Sequence, residues 1–298
     1  MKIFVIGSLN MDLVINAPFA PEQGMTIEGS GFMTNPGGKG ANQAVACAKL
    51  GGNAYMVGCV GEAFGDELIA SLARSGVHTE FVARATDVSS GIAVIVVVDG
   101  DNRIILDRAA NGRVDKAIID RALASAEAGD YLVLQLEIGL DSVEYALREG
   151  KRRGMVTVLN PAPAAELSEE IFSHCDYLIP NQTEAKFYTD IYPEDEASAR
   201  ACAEKLTQKG VANVIITMGA HGSVYIGGGK YCAVDAYPAV ALDTTAAGDT
   251  FVGAFVVKYA EGADVEDAMR FASRASAITI TRRGAQQSIP TRAEVDAS

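Results

Sequence analysis

Short β-branched runs alternate with amphipathic stretches along most of this chain, and that alternation restricts its fold more than any other feature. The runs are Lys2 to Ile6, Tyr55 to Val60, Tyr131 to Gln135, Val156 to Leu159, Tyr177 to Ile179 and Val214 to Thr217. Helix candidates lie between them at Ala41 to Leu50, Glu67 to Ser75, Lys116 to Ala124, Ser142 to Arg153 and Ala197 to Lys209. A strand that is followed by a helix returns to a parallel neighbour, so the pattern predicts an α/β fold: a central, mostly parallel sheet with helices on both faces. Two segments break the rhythm. Asp12 to Pro18 with Met25 to Met33, and Gly91 to Val98 with Arg103 to Asp107, read as strands joined without helices, the second pair through a hairpin at Asp99-Gly100-Asp101-Asn102. They predict a small lid sheet made by insertions near 12–34 and 90–108 in a single domain spanning 1–298. Ile92 to Val98 is apolar at nearly every position, which asks for cover on both faces: the site on one side and a second subunit, in a homodimer, on the other. The last helical patterns run Asp264 to Ala272 and Ser273 to Thr281.

Composition narrows the function. With 298 residues, 49% hydrophobic and 21% charged, the chain can bury a full core. Lys and Arg total 25 against 38 Asp and Glu, a net charge of −13, which disfavours a surface that tracks nucleic-acid phosphates. An anionic substrate must therefore be held by local devices. Five scattered cysteines, Cys47, Cys59, Cys175, Cys202 and Cys232, fit reduced core thiols of a cytoplasmic protein. The opening Met1 to Gly7 is too short for a signal peptide and no apolar run reaches membrane-spanning length, so no membrane partner is expected.

Asp243-Thr244-Thr245-Ala246-Ala247-Gly248-Asp249-Thr250 places small residues and a carboxylate where a turn feeds an apolar helix, Thr250 to Tyr259. Uncovered N–H groups at Ala246, Ala247 and Gly248, with the helix start, suit an anion. Asp249 fits that place if a hydroxyl sits between it and a phosphoryl group and must lose its proton. A helix-capping aspartate explains the octapeptide equally well. Asn35-Pro36-Gly37-Gly38-Lys39-Gly40-Ala41-Asn42-Gln43-Ala44 is a glycine turn before a helix, with side-chain donors from Lys39, Asn42 and Gln43 for a sugar; a tight helix-capping turn is the alternative. It is not a P-loop, because Gly40 follows Lys39, and Gly7 opens no dinucleotide fingerprint. Asn10 and Asp12, after the first strand, point to one side and can grip adjacent hydroxyls, or form an Asx turn. His78, His174 and His221 have no ligand spacing, Lys151-Arg152-Arg153 complements a helix terminus, and Glu194-Asp195-Glu196 is a solvated face.

The two glycine-containing segments together resemble the signatures of the ribokinase family of carbohydrate kinases. Asn160 to Ala164, Pro180 to Ala185, Thr217 to Gly222 and Thr281 to Gln286 fall in that family's order and spacing, so the resemblance runs end to end. It implies a three-layer sandwich with a β lid, and an ATP-dependent kinase acting on the primary 5-hydroxyl of ribose. The acceptor alternatives are deoxyribose, fructose, another pentose or hexose, or a nucleoside; a non-catalytic sugar or nucleotide sensor is the alternative from another class. By the resemblance, Asn10, Asp12, Gly38, Lys39, Asn42 and Glu137 bind sugar hydroxyls, Asp249 is the base, and Ala246, Ala247 and Gly248 form the anion hole. Asn181 and Glu184 match the element near magnesium and the phosphates. Thr217, Gly219 and Gly222 match the nucleotide loop, with Ser273 on the adenine side. A potassium ion is implied at Asp243, Thr245, Thr279, Arg282, Gly284 and Ser288, several of them through backbone carbonyls. Two departures stand out: Gln182 replaces a Glu often found after the Asn, and Asp107-Arg108 puts charge where the lid returns to the main domain.

Overall fold

The computed structural model describes residues 1–99 and 101–298; Gly100, in the expected hairpin, lies outside the described residues. The chain opens with β1 (Lys2–Ile6), β2 (Asn10–Asn16), β3 (Ser30–Gly37), α1 (Lys39–Lys49), β4 (Asn53–Val60), α2 (Gly65–Arg74) and β5 (His78–Arg84). Next come β6 (Gly91–Val98), β7 (Asp101–Asp107), a 3-10 turn (Ala109–Arg113), α3 (Lys116–Leu123), β8 (Tyr131–Leu134), α4 (Leu140–Arg152) and β9 (Val156–Leu159). These are followed by α5 (Glu169–Ser173), β10 (Tyr177–Leu178), α6 (Gln182–Thr189), α7 (Glu196–Gln208), β11 (Asn213–Thr217), β12 (Ser223–Gly227) and β13 (Lys230–Val234). The chain closes with α8 (Ala247–Ala260), α9 (Val265–Ile280) and α10 (Arg292–Asp296).

The large sheet has the order β13-β12-β11-β10-β9-β8-β1-β4-β5, parallel from β11 to β5, with β12 and β13 antiparallel at one edge. Alternation along β1 divides the core: Ile3 and Val5 pack on the side of α1, α8 and α9, while Phe4 and Ile6 pack with residues of α3 and α4. Strand order reverses at β1, which has β4 on one side and β8 on the other. Open α/β sheets leave a crevice beyond the strand ends at such a switch point. The chain leaving β1 carries Ser8, Asn10 and Asp12, and the chain leaving β8 carries Gln135 and Glu137.

β3-β2-β6-β7 form the lid, with β2 parallel to β6 and the other pairs antiparallel. Two expectations need correction. Met25 to Gly29 are not strand, because the β2 register shifts between Val14 and Asn16 and the last pair is Asn16 with Ser30. The two expected terminal helices are one, α9, since Ala268, Ala272 and Ala275 continue a single buried stripe through Ser273. The hairpin β12–β13 and strand β5 were not anticipated. Gly228 and Gly229, with φ of 54° and 73°, form the two-residue turn that joins β12 to β13.

Candidate active site

Polar residues beyond β1 and β8 meet in the crevice. Glu137 Oε2 accepts from Ser8 Oγ at 2.5 Å, from the Lys39 N–H at 3.1 Å and from Asn10 Nδ2 at 3.4 Å. Asn10 Oδ1 accepts from Asn111 Nδ2 at 2.7 Å, and Asn111 Oδ1 accepts from the Leu9 N–H at 2.9 Å, so the Asn10 amide has one orientation. Asp12 is buried, and that burial, reinforced by the charges of Glu137 and Asp249, raises its carboxyl to about 7. It lines a cavity of about 600 Å³ beneath the lid, with Val14, Met33, Asn35 and Ile95 above and Asp243 to Thr245 and Arg283 to Ala285 below.

The start of α1 closes the next wall. Gly38 has φ 92°, and a Cβ on Gly40 would lie 2.5 Å from the Ser8 nitrogen, so only glycine lets α1 begin this close to the end of β1. The turn delivers Asn42 and Gln43 to Asp249: Asn42 Nδ2 donates to Asp249 Oδ2 at 2.9 Å and Gln43 Nε2 to Oδ1 at 3.0 Å. Gln43 is therefore not a sugar-side donor; it is fully buried behind the carboxylate. Asn42 keeps a buried carboxamide oxygen with no protein donor, which suits a ligand hydroxyl. Burial by itself would lower the Lys39 ammonium, but the carboxylates of Asp249, Glu137 and Glu184 outweigh it and raise it above its ordinary value.

Lys39 and Asp249 also line a second cavity, of about 190 Å³, with Asn160, Asn181, Glu184, Thr217, Thr244 and Ala246 to Gly248. Thr244 belongs to the walls of both cavities. Ala246 caps α8 at φ 61°, and the first bond that α8 makes to its cap is Thr250 N–H to Ala246 O at 2.8 Å. The N–H groups of Gly248 and Asp249 precede it and have no acceptor within the helix, whereas the Ala247 N–H reaches Thr244 O at 3.2 Å. Asn181 and Glu184 form a reciprocal cap of α6: the Asn181 N–H donates to Glu184 Oε2 at 2.8 Å and the Glu184 N–H to Asn181 Oδ1 at 2.9 Å. Burial raises the Glu184 carboxyl. Gly219 and Gly222, with φ of 54° and 79°, turn the loop after β11, and the Met218 N–H donates to Gly222 O at 2.8 Å. Ser273 reaches neither of these two cavities; its hydroxyl accepts from the Tyr237 N–H at 3.0 Å.

The six residues implied as cation ligands border one turn. Asp243 Oδ1 accepts from the Thr245 N–H and Oδ2 from the Gly284 N–H, each at 2.9 Å; burial would raise its carboxyl, but the Thr245 side chain, these two N–H groups and the Arg283 charge together hold it below the usual value. The Thr279 and Ser288 hydroxyls donate to Ala275 O and Ala285 O, and Arg282 pairs with Glu294 at 2.7 Å. These bonds fix the side chains in place, and the lone pairs left on Asp243, on the two hydroxyls and on the neighbouring backbone carbonyls are the oxygens open to an ion. Among the described residues no group of three or more His, Cys, Asp and Glu side chains could hold a metal.

Sequence reading missed Ser8, Asn111 and Gln135, which support the site from behind. Asn111 follows closely on the Asp107-Arg108 pair singled out for its charge, and its neutral amide, not the charged pair, touches Asn10.

The chain matches the profile of the pfkB family carbohydrate kinases over residues 1–292. It is 43% identical to a ribokinase of Schizosaccharomyces pombe, covering 100% of this chain and 98% of that one. A deoxyribokinase of Salmonella typhimurium is 38% identical, covering 97% and 96%. The solved structure of Arabidopsis thaliana ribokinase complexed with ribose and ATP superposes with a TM-score of 0.92 at 30% identity, covering 99% and 97%.

Proposed function

The chain belongs to the pfkB family of carbohydrate kinases, and from that premise we propose that it transfers the γ-phosphoryl group of ATP to the 5-hydroxyl of D-ribose, giving ribose 5-phosphate and ADP. The observation that carries this reading is Asp249, a buried carboxylate fixed by two amides and set beside the open N–H groups of a helix start. The acceptor hydroxyl gives its proton to Asp249 as its oxygen attacks the γ-phosphorus in line, and the bond to ADP breaks. The N–H groups of Gly248 and Asp249, with the Lys39 ammonium, stabilise charge on the transferred oxygens. Asn10, Asp12, Asn42 and Glu137 hold the other hydroxyls. An acceptor lacking one of them leaves buried polar groups unpaired, which favours ribose over deoxyribose.

Asn181 and Glu184 offer hard oxygen donors at the phosphate-side cavity and fit magnesium held through water, which supplies charge neutralisation on the phosphates. The carbonyls of the 279–288 turn fit potassium. ADP release from purified protein, measured with ribose, deoxyribose, fructose and nucleosides in potassium and in sodium, tests the reading. Ribose in potassium is expected to be fastest. Sugar binding without ADP release identifies a sensor, and equal rates in the two salts remove the potassium site.

Asp12 gives the reaction a pH signature. Below about 7 the free site holds this carboxyl protonated; sugar hydroxyls that donate to it favour the anion, so binding draws the proton off. Sugar affinity should rise as pH increases towards about 7 and level off above it. KM for ribose as a function of pH checks the sign, and Asp12→Asn should flatten the curve.

A second copy of the chain covers the lid's outer face. Leu13, Val94 and Ile105 are cross-strand neighbours there, and Val94 and Ile105 are 38% and 72% exposed. Light scattering should give twice the mass of one chain, and Ile105→Glu should give the single mass. The free thiols Cys47, Cys59, Cys175, Cys202 and Cys232 suit a reducing cytoplasm, and no described helix is long and apolar enough to cross a membrane.

A further inference from the structure

We infer that Gln43 positions the catalytic base through a chain of carboxamides, an inference that rests on the kinase reading of Asp249. Gln43 has no exposed surface, so it touches neither substrate. Its Nε2 donates to Asp249 Oδ1 at 3.0 Å and to Asn160 Oδ1 at 3.1 Å, and its Oε1 accepts from Gln135 Nε2 at 2.6 Å. Both donors and one lone pair are used.

The direction of the chain is set at its ends. Asn160 Nδ2 donates to the Ile179 carbonyl at 2.9 Å, and a backbone carbonyl can only accept. Asn160 must therefore present its oxygen to Gln43, which must present its NH2 to both Asn160 and Asp249. Turning the Gln43 amide over would set its oxygen against the Asn160 oxygen and a carboxylate oxygen. Gln135 must then offer its NH2 to the Gln43 oxygen, which leaves Gln135 Oε1 buried without a donor. Accepting one unsatisfied oxygen at the far end keeps every amide nearer the base in register.

Asn42 and Gln43 take one carboxylate oxygen each, so the plane of Asp249 is fixed before any sugar arrives. The two amides divide the labour. Asn42 also keeps a buried oxygen that no protein donor reaches, whereas every polar atom of Gln43 is used inside the protein, tying the base to Asn160 and Gln135. Removing the Gln43 donor should misorient the proton acceptor and leave the sugar contacts alone.

The test is Gln43→Met, which keeps most of the volume and deletes both donors. Expected is a loss of about 10- to 100-fold in kcat, on the scale of a misplaced reacting group, with the ribose dissociation constant and KM within about twofold of wild type. In an Asp249→Asn background the same change should cost less than about twofold, because no base remains to be positioned. Wild-type kcat in Gln43→Met, a parallel loss of sugar binding, or a full multiplicative loss in the double variant overturns the proposal. If Gln43→Met does not fold, Gln135→Leu takes its place: about a threefold or larger loss of kcat at unchanged ribose affinity supports the chain, and wild-type kcat overturns it. Wild-type protein that releases no ADP with any sugar overturns the kinase reading and this inference together; an active wild type with an equally active Gln43→Met overturns the inference alone.

Discussion

Asp249→Asn is expected to lower kcat by about three orders of magnitude while the ribose dissociation constant changes little, since general-base catalysis is worth up to about 10⁴-fold. The change is nearly isosteric but not electrostatically neutral at this position. Asp249 accepts from Asn42 on one oxygen and from Gln43 on the other. An Asn side chain has one oxygen, so its NH2 must face one of those donors, and the mismatch should cost about 1–3 kcal/mol of stability. A coupled ADP assay gives kcat, calorimetry gives ribose affinity, and thermal melting shows the destabilisation. Turnover near the wild-type rate would remove Asp249 from the role of base.

Gly248→Ala should separate activity from stability in the opposite direction. Gly248 lies in the first turn of α8 with an ordinary backbone conformation, and a Cβ built there meets no atom within 4 Å. The protein should fold unimpaired, with a melting temperature equal to wild type or higher, because alanine is favoured over glycine in helices by up to about 1 kcal/mol. Gly248 lines the phosphate-side cavity, and on the proposed reading its N–H faces the group being transferred. A methyl group there holds the phosphoryl oxygens away from the donor, and losing one such donor costs about 10²- to 10³-fold in kcat. Wild-type kcat in the alanine variant would mean that the transferred group does not approach this amide.

The parallel sheet could be read from the sequence because β1, β8, β9 and β11 are buried runs separated by helices, a pattern with few alternative packings. β5 could not: His78 to Arg84 is half polar, and it becomes a strand through pairing with β4. The glycine pair that joins β12 to β13 was a legible signal that went unread. At the site, the residues facing the crevice could be named because they stand at strand ends and helix starts. Their supports could not. Ser8 meets Glu137 across 129 positions, Leu9 meets Asn111 across 102 and Gln43 meets Asp249 across 206, and nothing local distinguishes those side chains from ordinary buried amides and hydroxyls. Gln43 shows why: a donor near a helix start reads as a ligand contact, whereas its partner is another segment of the protein.

Asp243, with each carboxylate oxygen taken by a different loop, makes the approach to α8 and the 279–288 turn a single mechanical body. The far side of that turn is gripped by the Lys49 ammonium, which donates to Gln286 O at 2.8 Å and Ile289 O at 2.9 Å. Tension applied at the turn is therefore transmitted to the amides at the head of α8. On the potassium reading proposed above, an ion seated beside the turn would tune the chemistry by its radius alone, as a shim sets the gap between two parts without carrying the load.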